Sequence, residues 1–315
     1  MEFHLKQPVS ANNESIHIDD KLTFIGSCFS DHMANIARAR GLNVLSNPFG
    51  TIFHPSPIAR SIGNSIKKTS NPVLFEYNNL VYDWDSSHLF FSESKTAHKE
   101  KINSTQALIK KHLKDDSWLL ITLGTSIAYS HNSIGLTVAN CHKQDPKIFS
   151  KEIVSYDQMV EEWRVFLELL YAFNKNVKVV FTVSPVRHIR DGLISNNISK
   201  AHLFILIEKL MSHYPVTYFP SYEIINDALR DYRFFEEDLT HPNKMAIEHV
   251  WEHFEQTYFS EKDQSLMKRI SKLNKTMKHR VMSQDKIDSQ KLMVWIKKER
   301  ESIEKIIGRE LMSTN

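Results

Sequence analysis

The sequence contains little cysteine and no long apolar run. Cys28 and Cys141 are its two cysteines, which are too few for a disulfide framework and do not match a structural zinc spacing. We therefore interpret each as an individual thiol and expect neither a metal nor a cofactor. No stretch of about 18 apolar residues occurs, so no membrane span is predicted.

The chain also lacks a strong charge of either sign. Its 40 lysine and arginine residues against 37 aspartate and glutamate residues leave a net charge of +3. The basic residues form no stripe of the kind that a phosphate backbone requires, so nucleic acid is not an expected partner. Residues 1–8 lack the basic start and apolar core of a secretory signal, which favours a cytoplasmic location.

Strand-like and helix-like patterns alternate along the chain. Short apolar runs predict strands at 22–25, 118–123, 177–183 and 216–219. Helical spacing of apolar residues occurs between and after them, at 31–38, 156–173, 200–213 and 243–258. This alternation predicts an α/β fold, a three-layer α/β/α sandwich with a mainly parallel sheet. Sites in such folds lie at the carboxyl ends of the strands.

Two segments fit the alternation less well. Residues 51–115 include an aromatic and polar stretch without clear periodicity, which we interpret as an insertion or lid within a catalytic domain of residues 1–260. Residues 261–315 are rich in Lys, Glu, Gln and Ser with intermittent apolar positions, which predicts a charged, amphipathic helical C-terminal extension. Its helices could pack on the body, join a second subunit in a homo-oligomer, or stay partly loose.

The first candidate for chemistry lies between a strand and a helix. Gly26 ends the predicted strand, and Ser27 and Cys28 follow it directly before the helix. A nucleophile at such a turn is exposed, while backbone N–H groups and the helix N-terminus face the reacting oxygen. Either Ser27 or Cys28 could attack. The structural alternative is that Cys28 is a small buried residue.

The second candidate comes just before the last periodic helix of the domain. Asp238 precedes His241 by three residues, a spacing that lets the carboxylate bind the imidazole nitrogen that faces away from a substrate. The alternative is that Asp238 ends a turn and His241 begins a helix. Together with the Ser27–Cys28 turn, the pair favours nucleophilic catalysis.

Several ordered motifs resemble one family. The stretch 26–30, Gly-Ser-Cys-Phe-Ser, resembles the motif that names the GSCFA domain family, a branch similar to the SGNH/GDSL hydrolases; Ser30 stands where the name has alanine. The resemblance covers about residues 20 to 255 and ends with Asp238 and His241. It continues through five further motifs, at 47–51, 123–126, 140–143, 184–188 and 219–222. It implies an SGNH hydrolase or flavodoxin-like form of the predicted sandwich.

The resemblance also implies a nucleophile. Setting Gly26 on the glycine of the Gly-Asp-Ser block of SGNH enzymes puts Ser27 at the aspartate and Cys28 at the nucleophilic serine. A thiol suits this place, because a helix N-terminus and a nearby histidine both lower the pKa of a cysteine. Ser27 remains the alternative, since a shift of one residue in the turn would reverse the assignment.

Three residues are candidates for the oxyanion hole by the same resemblance. Gly50 corresponds to the glycine of the second SGNH block, whose N–H binds the oxyanion. In the third block Ser126 stands where asparagine is expected. Either Ser126 donates to the oxyanion, or another polar group such as Asn140 substitutes for it, or this donor is missing.

Further polar residues are candidates for substrate binding. His142, Lys143, Arg187 and His188 lie near predicted strand ends, and His88 lies in the aromatic run of the predicted lid. They could bind an acidic or hydroxylated substrate, or form a structural hydrogen-bond network. A zinc site built from the cysteines and histidines is the weaker alternative, since no recognised metal spacing occurs.

These features predict an acyl-transfer enzyme with Cys28 as nucleophile, His241 as base and Asp238 as its orienting carboxylate. It would be an esterase, thioesterase or O-acyltransferase acting on an acylated carbohydrate or another small metabolite. The alternative from a different class is a carbohydrate- or ligand-binding module that keeps the fold, with catalysis weakened or lost through the altered third block.

Overall fold

A computed structural model describes residues 5, 7–8, 11–12, 14–68, 71–115, 117–280 and 286–311. The strands are β1 (Lys21–Gly26), β2 (Asn43–Ser46), β3 (Leu74–Tyr77), β4 (Leu80–Asp83), β5 (Ser117–Leu123), β6 (Ile127–His131), β7 (Leu136–Thr137), β8 (Phe149–Ile153), β9 (Lys178–Val183) and β10 (Val216–Tyr218). The helices are α1 (Cys28–Ala39), α2 (Pro55–Lys67), α3 (Lys95–His112), α4 (Tyr156–Phe173), α5 (Gly192–Met211), α6 (Ser221–Glu223), α7 (Lys244–Tyr258), α8 (Glu261–Arg280) and α9 (Lys286–Ile307).

The central sheet has the strand order β10-β9-β5-β1-β2, and all of its pairings are parallel. The predicted three-layer α/β/α fold with a mainly parallel sheet is therefore confirmed. From β1 the chain first adds β2 on one side and later β5 on the other, which makes the carboxyl ends of β1 and β5 the switch point of the sheet. Ligands of open parallel sheets bind in the crevice at that point.

Alternating side chains of each strand reach opposite faces of the sheet. Along β5, Trp118 and Leu120 belong to one apolar core and Leu119, Ile121 and Leu123 to the other. The first core is covered by helices α1, α7, α8 and α9, and the second by α2, α3, α4 and α5. Because both faces are covered, the strands are nearly continuous apolar runs, as the sequence indicates.

The segment 51–115, interpreted above as an insertion or lid, contributes to one of these layers. Helices α2 and α3 bury Ile58, Ile62 and Ile109 in the second core. The hairpin of β3 and β4 lies between the two helices in sequence and is antiparallel. A separate antiparallel sheet in the order β7-β6-β8 follows β5. The sequence pattern does not predict these small sheets.

Helices α8 and α9 pack on the body. Their apolar residues, among them Met267, Ile270 and Ile303, are buried in the first core together with residues of α1 and α7. The guanidinium of Arg309 donates to the carbonyl oxygens of Ile18 and Gly41 at 3.2 and 2.8 Å. Of the three arrangements open to this extension, the described residues adopt packing on the body. No helix among them combines the length and apolarity needed to cross a membrane.

Candidate functional site

The turn after β1 is fixed by tight backbone contacts. Gly26 has a φ of +140°, and a β-carbon on it would lie 2.1 Å from the carbonyl oxygen of Thr122. Its N–H donates to Asn47 Oδ1 at 2.8 Å, and the Ser27 N–H donates to the Thr122 oxygen at 3.1 Å. Asn47 Nδ2 donates in turn to Asp31 Oδ2 at 2.8 Å. The turn that delivers Cys28 is therefore held from both neighbouring strands, β5 and β2.

Ser27 and Cys28 differ in access. The Ser27 side chain is 1% exposed, and its Oγ is buried without a hydrogen-bond partner. Ser27 precedes α1 in the N-cap position, yet its side chain makes no capping hydrogen bond. Cys28 is half-buried and carries a free thiol. Of the two candidate nucleophiles, Cys28 is therefore the more exposed residue.

Burial raises the pKa of the Cys28 thiol, whereas hydrogen bonding from the N–H groups of Phe29 and Cys28 lowers it. The negative charge of Asp31 adds to the rise, and the positive charge of Lys200 opposes it. The net shift is upward, so the expected lowering of this pKa is wrong in this state of the protein. The physical reason is that the rise in pKa from desolvation of the thiolate is larger than the lowering by the N–H groups at the helix N-terminus. The charges that act on the sulfur are those of Asp31 and Lys200.

Asp238 and His241 form the local pair that their spacing indicates. Asp238 Oδ2 lies 2.5 Å from His241 Nδ1, and Oδ1 accepts the N–H groups of His241 and Thr240, both at 2.9 Å. The N–H groups of His241 and Thr240 hold the pKa of the Asp238 carboxyl well below its usual range. Leu239 between them has a φ of +58°, so the tight turn strains a non-glycine residue.

The pair and Cys28 lie next to helices that pack together. Cys28 begins α1 and the pair lies just before α7, and both helices contribute to the first core. In the described part of the chain no hydrogen bond joins Cys28 to His241, and no residue binds His241 Nε2. The His241 side chain is 44% exposed. Catalytic hydrogen bonds are often long in the absence of substrate and tighten when it binds.

Neither Gly50 nor Ser126 presents a free donor. The Gly50 N–H donates to the Asn47 carbonyl at 2.6 Å. Ser126 is fully buried; its N–H donates to Ser199 Oγ at 2.7 Å and its Oγ to the Ser199 carbonyl at 3.1 Å. Ser126 thus joins the segment after β5 to α5. For Gly50 or Ser126 to donate to an oxyanion, these hydrogen bonds would first have to break.

His88 and His142 come together in an aromatic cluster. The ring of His142 lies 5.8 Å from that of His88, and both rings contact Tyr82. Burial lowers the pKa of His142 to about 4. Asn140 Oδ1 accepts the His142 N–H at 2.7 Å, so this amide supports the loop. No hydrogen bond, ion pair or ring contact links the cluster to Cys28 or His241 among the described residues.

The other predicted binding residues, Lys143, Arg187 and His188, have different surroundings. Lys143 is exposed, and His188 Nε2 pairs with Asp191 Oδ2 at 3.0 Å. Arg187 instead faces the loop of the Asp238–His241 pair, with its guanidinium 5.0 Å from the centre of the Phe235 ring. Its Nη1 is buried without a hydrogen-bond partner. Arg187 is thus the predicted binding residue with an unused donor beside this loop.

Sequence reasoning missed Lys200. This lysine is 2% exposed, and its Nζ donates to the carbonyl oxygens of Gly124 at 2.6 Å and Ser184 at 2.8 Å. The sequence contains a sign that Lys200 is buried. Helical spacing places residue 200 on the same face as Leu203 and Ile207, which are buried in the second core. A lysine on such a face is unusual, since long charged side chains normally reach solvent.

A second chain of hydrogen bonds contains serine, histidine and aspartate. Ser92 Oγ lies 3.2 Å from His98 Nδ1, and His98 Nε2 lies 2.9 Å from Asp83 Oδ2. His98 is completely buried, and the Ser92 N–H donates to the Val81 carbonyl at 3.1 Å. This backbone group is therefore not free to bind an oxyanion, and we interpret the chain as structural.

The described residues include no group of three or more His, Cys, Asp or Glu side chains arranged to hold a metal ion. A cavity of about 410 Å³ lies beside β10 and is lined by Tyr218, Glu223 and His253, among others. None of the predicted site residues lines it.

Comparison with known proteins adds one finding. A family model described as the GSCFA family matches residues 21–254. No curated protein matches the chain. The matched region includes the Cys28 turn, Lys200, Arg187 and the Asp238–His241 pair.

Proposed function

We propose, from the premise that the chain belongs to the GSCFA family, that it transfers acyl groups through a thioester on Cys28. The observation that carries the proposal is the start of α1. Ser27 occupies the N-cap position without capping, so the first N–H groups of the helix are not taken by its side chain. N–H groups at a helix N-terminus beside a half-buried thiol suit acyl transfer.

The N–H groups of Cys28 and Phe29 are the best candidates for the oxyanion hole. Both belong to the first turn of α1, where backbone N–H groups have no partner within the helix. Both also hydrogen-bond toward the thiol, so they face the region where the attacked carbonyl would lie. Gly50 joins them in this proposal only if its bond to the Asn47 carbonyl opens on substrate binding.

The proposed reaction has two steps. The proton of the Cys28 thiol passes to His241 Nε2, Sγ bonds to the acyl carbon, and the bond to the leaving oxygen or sulfur breaks as that atom takes the proton. Water or a substrate hydroxyl then gives a proton to His241 and attacks the thioester, which releases the acyl group and restores the thiol. Asp238 holds the imidazole and stabilises its cation.

The substrate is an acylated carbohydrate or another small hydroxylated metabolite in this proposal. Arg187 supports recognition of a polar or negatively charged substrate group, because its buried Nη1 has an unused donor. A buried donor without a partner costs free energy, which a substrate oxygen would recover. Its contact with the ring of Phe235, three residues before Asp238, supports a place for this donor near the loop of the predicted base.

The test is covalent acylation by p-nitrophenyl acetate, followed by mass spectrometry of the intact protein and of its peptides. We expect one acetyl group on Cys28, its loss in Cys28→Ala, and its retention in Ser27→Ala, Cys141→Ser and Ser92→Ala. His241→Ala should slow both acylation and its reversal. Acetylation retained in Cys28→Ala, or absent in the unmodified protein, would overturn the proposal.

A binding module on the same fold is the second candidate. It is favoured by the absence of a Cys28–His241 hydrogen bond in the described residues and by the engaged donors of Gly50 and Ser126. Binding of acylated oligosaccharides without turnover, unchanged by Cys28→Ala, would support it against the acyl-transfer proposal.

A further inference from the structure

Lys200 carries a buried amine to the carboxyl edge of the sheet. Its Nζ bridges the Gly124 and Ser184 carbonyls, which directly follow β5 and β9. An ammonium group has three donors, and these two acceptors use two of them. The side chain therefore ends at the edge where Cys28 follows β1.

No carboxylate neutralises this amine. Among the described residues, no aspartate or glutamate forms an ion pair with Lys200. A buried ammonium without a counter-ion costs several kcal/mol, and burial lowers the pKa of Lys200 to about 7. The charged group that acts on it is Cys28, whose thiolate raises that pKa again.

The end of β5 contacts the segments that carry both groups. The Thr122 carbonyl accepts the Ser27 N–H at 3.1 Å, and Gly124, whose carbonyl binds Lys200, lies two residues further along the same chain segment. The end of β5 therefore contacts both the nucleophile turn and the lysine. Asp31 is the other charge that acts on Cys28; its carboxylate is bound by the side chains of Ser46 and Asn47.

We propose that Lys200, held by the carbonyls at the ends of β5 and β9, is a positioning residue that supplies the counter-charge of the Cys28 thiolate. This inference rests on the proposed function of Cys28 as nucleophile. In this pair Lys200 is charged: the thiol proton passes to His241 Nε2, as in the proposed reaction, and the ammonium offsets the negative charge left on Sγ.

The pH dependence of Cys28 alkylation by iodoacetamide tests this proposal. The Cys141→Ser background leaves one thiol, and alkylation is followed by mass spectrometry with Lys200 intact, Lys200→Met and Lys200→Arg. We expect Lys200→Met to move the alkylation midpoint upward by about one pH unit, a loss of about tenfold at neutral pH. Lys200→Arg, which keeps a charge, should restore part of the rate.

A purely structural lysine gives a different result. Lys200→Met would then lower the urea midpoint of unfolding while the alkylation midpoint stays unchanged, and that outcome would overturn the proposal. Alkylation requires no acyl substrate, so the result separates this inference from the proposed function. If Lys200→Met shifts the alkylation midpoint but p-nitrophenyl acetate does not acylate the protein, the Lys200–Cys28 pairing is supported and the acyl-transfer proposal is overturned.

A second measurement covers the case in which Lys200→Met does not fold. The coupling between two titrating groups is reciprocal, so the loss of Cys28 must change the titration of Lys200. In protein labelled with ¹³C at lysine Cε, one lysine should titrate near neutral pH in the Cys141→Ser background. Its midpoint should fall when Cys28→Ala is added. An identical midpoint in both proteins contradicts the pairing.

Discussion

A β-carbon added to Gly26 would lie 2.1 Å from the carbonyl oxygen of Thr122, on the neighbouring strand β5. Backbone cannot move away as a flexible side chain can, and the φ of +140° at Gly26 already disfavours any other residue. The first prediction is that Gly26→Ala lowers the free energy of unfolding by more than about 3 kcal/mol, from overpacking together with backbone strain. Urea unfolding followed by circular dichroism measures it.

Gly135→Ala is the matched control for this substitution. Gly135 also has a positive φ, +61°, but a β-carbon there would have no atom within 4 Å. Its replacement should cost only the backbone strain, about 1–2 kcal/mol. Equal losses in the two variants would show that the contact with Thr122 is not what requires glycine.

The second prediction concerns the partner of His241. Asp238→Asn removes the carboxylate that lies 2.5 Å from Nδ1 and should lower the acylation rate about a hundredfold or more, because the imidazolium and its tautomer lose support. Pre-steady-state release of p-nitrophenol measures this rate. Glu237→Gln, an exposed neighbour on the same loop, controls for the loss of one negative charge. A similar rate in both variants would contradict the pairing role.

The third prediction separates Ser126 from the oxyanion hole. Since its hydroxyl donates to the Ser199 carbonyl inside the protein, Ser126→Ala should lower stability by about 1 kcal/mol and change the acylation rate by less than about threefold. Loss of a true oxyanion donor costs on the order of a hundredfold or more. Ser65→Ala is the control, because Ser65 is equally buried and donates to the Ser61 carbonyl at 2.7 Å. A hundredfold loss at unchanged stability would restore Ser126 as a donor.

The fourth prediction follows from the titration of Lys200. Its pKa falls from 10.5 to about 7 on folding, so between these pH values the unfolded chain binds more protons than the folded one. The free energy of unfolding contributed by this residue must therefore rise with pH in that window, by up to about 1.4 kcal/mol per pH unit. Below pH 7 both states are protonated, and the contribution no longer changes.

Urea unfolding of the unmodified protein and of Lys200→Met, at several pH values between about 6 and about 9.5, measures this contribution. Titrating groups other than the coupled Cys28 cancel in the difference between the two proteins, and the same comparison in the Cys28→Ala background removes the contribution of that thiol. We expect that difference to grow in favour of the unmodified protein as pH rises. Parallel pH profiles would show that Lys200 keeps its ordinary titration in the folded state.

The central sheet was predictable because its strands are buried on both faces. The run at 118–123 matches β5 except for Ser117, and the helix predicted at 156–173 matches α4. Strand β2 has four half-buried residues, begins with polar Asn43 and ends with polar Ser46. Its sequence therefore contains no apolar run. Helix α2 begins with two prolines, Pro55 and Pro57, which suit a first turn but resemble a loop in sequence.

The site was predictable where its contacts are local. Asp238 and His241 are three residues apart, so their spacing alone indicates their hydrogen bond. The partner of Ser126 is 73 residues away, and the two partners of Lys200 are 76 and 16 residues away. No local pattern specifies them. Cys28 is intermediate: its turn is visible in sequence, but its electrostatics depend on burial and on Lys200, which only the packing of α5 against the sheet determines.

The C-terminal extension binds the connection between α1, which begins at Cys28, and β2, which leads to Asn47. Asn274 donates to the Ala39 carbonyl at 2.9 Å, and Arg309 donates to the Gly41 carbonyl at 2.8 Å. Helices α8 and α9 thus brace a connection inside the GSCFA region from beyond its boundary at residue 254. The unit that sequence similarity recognises is accordingly shorter than the set of elements that contact this connection.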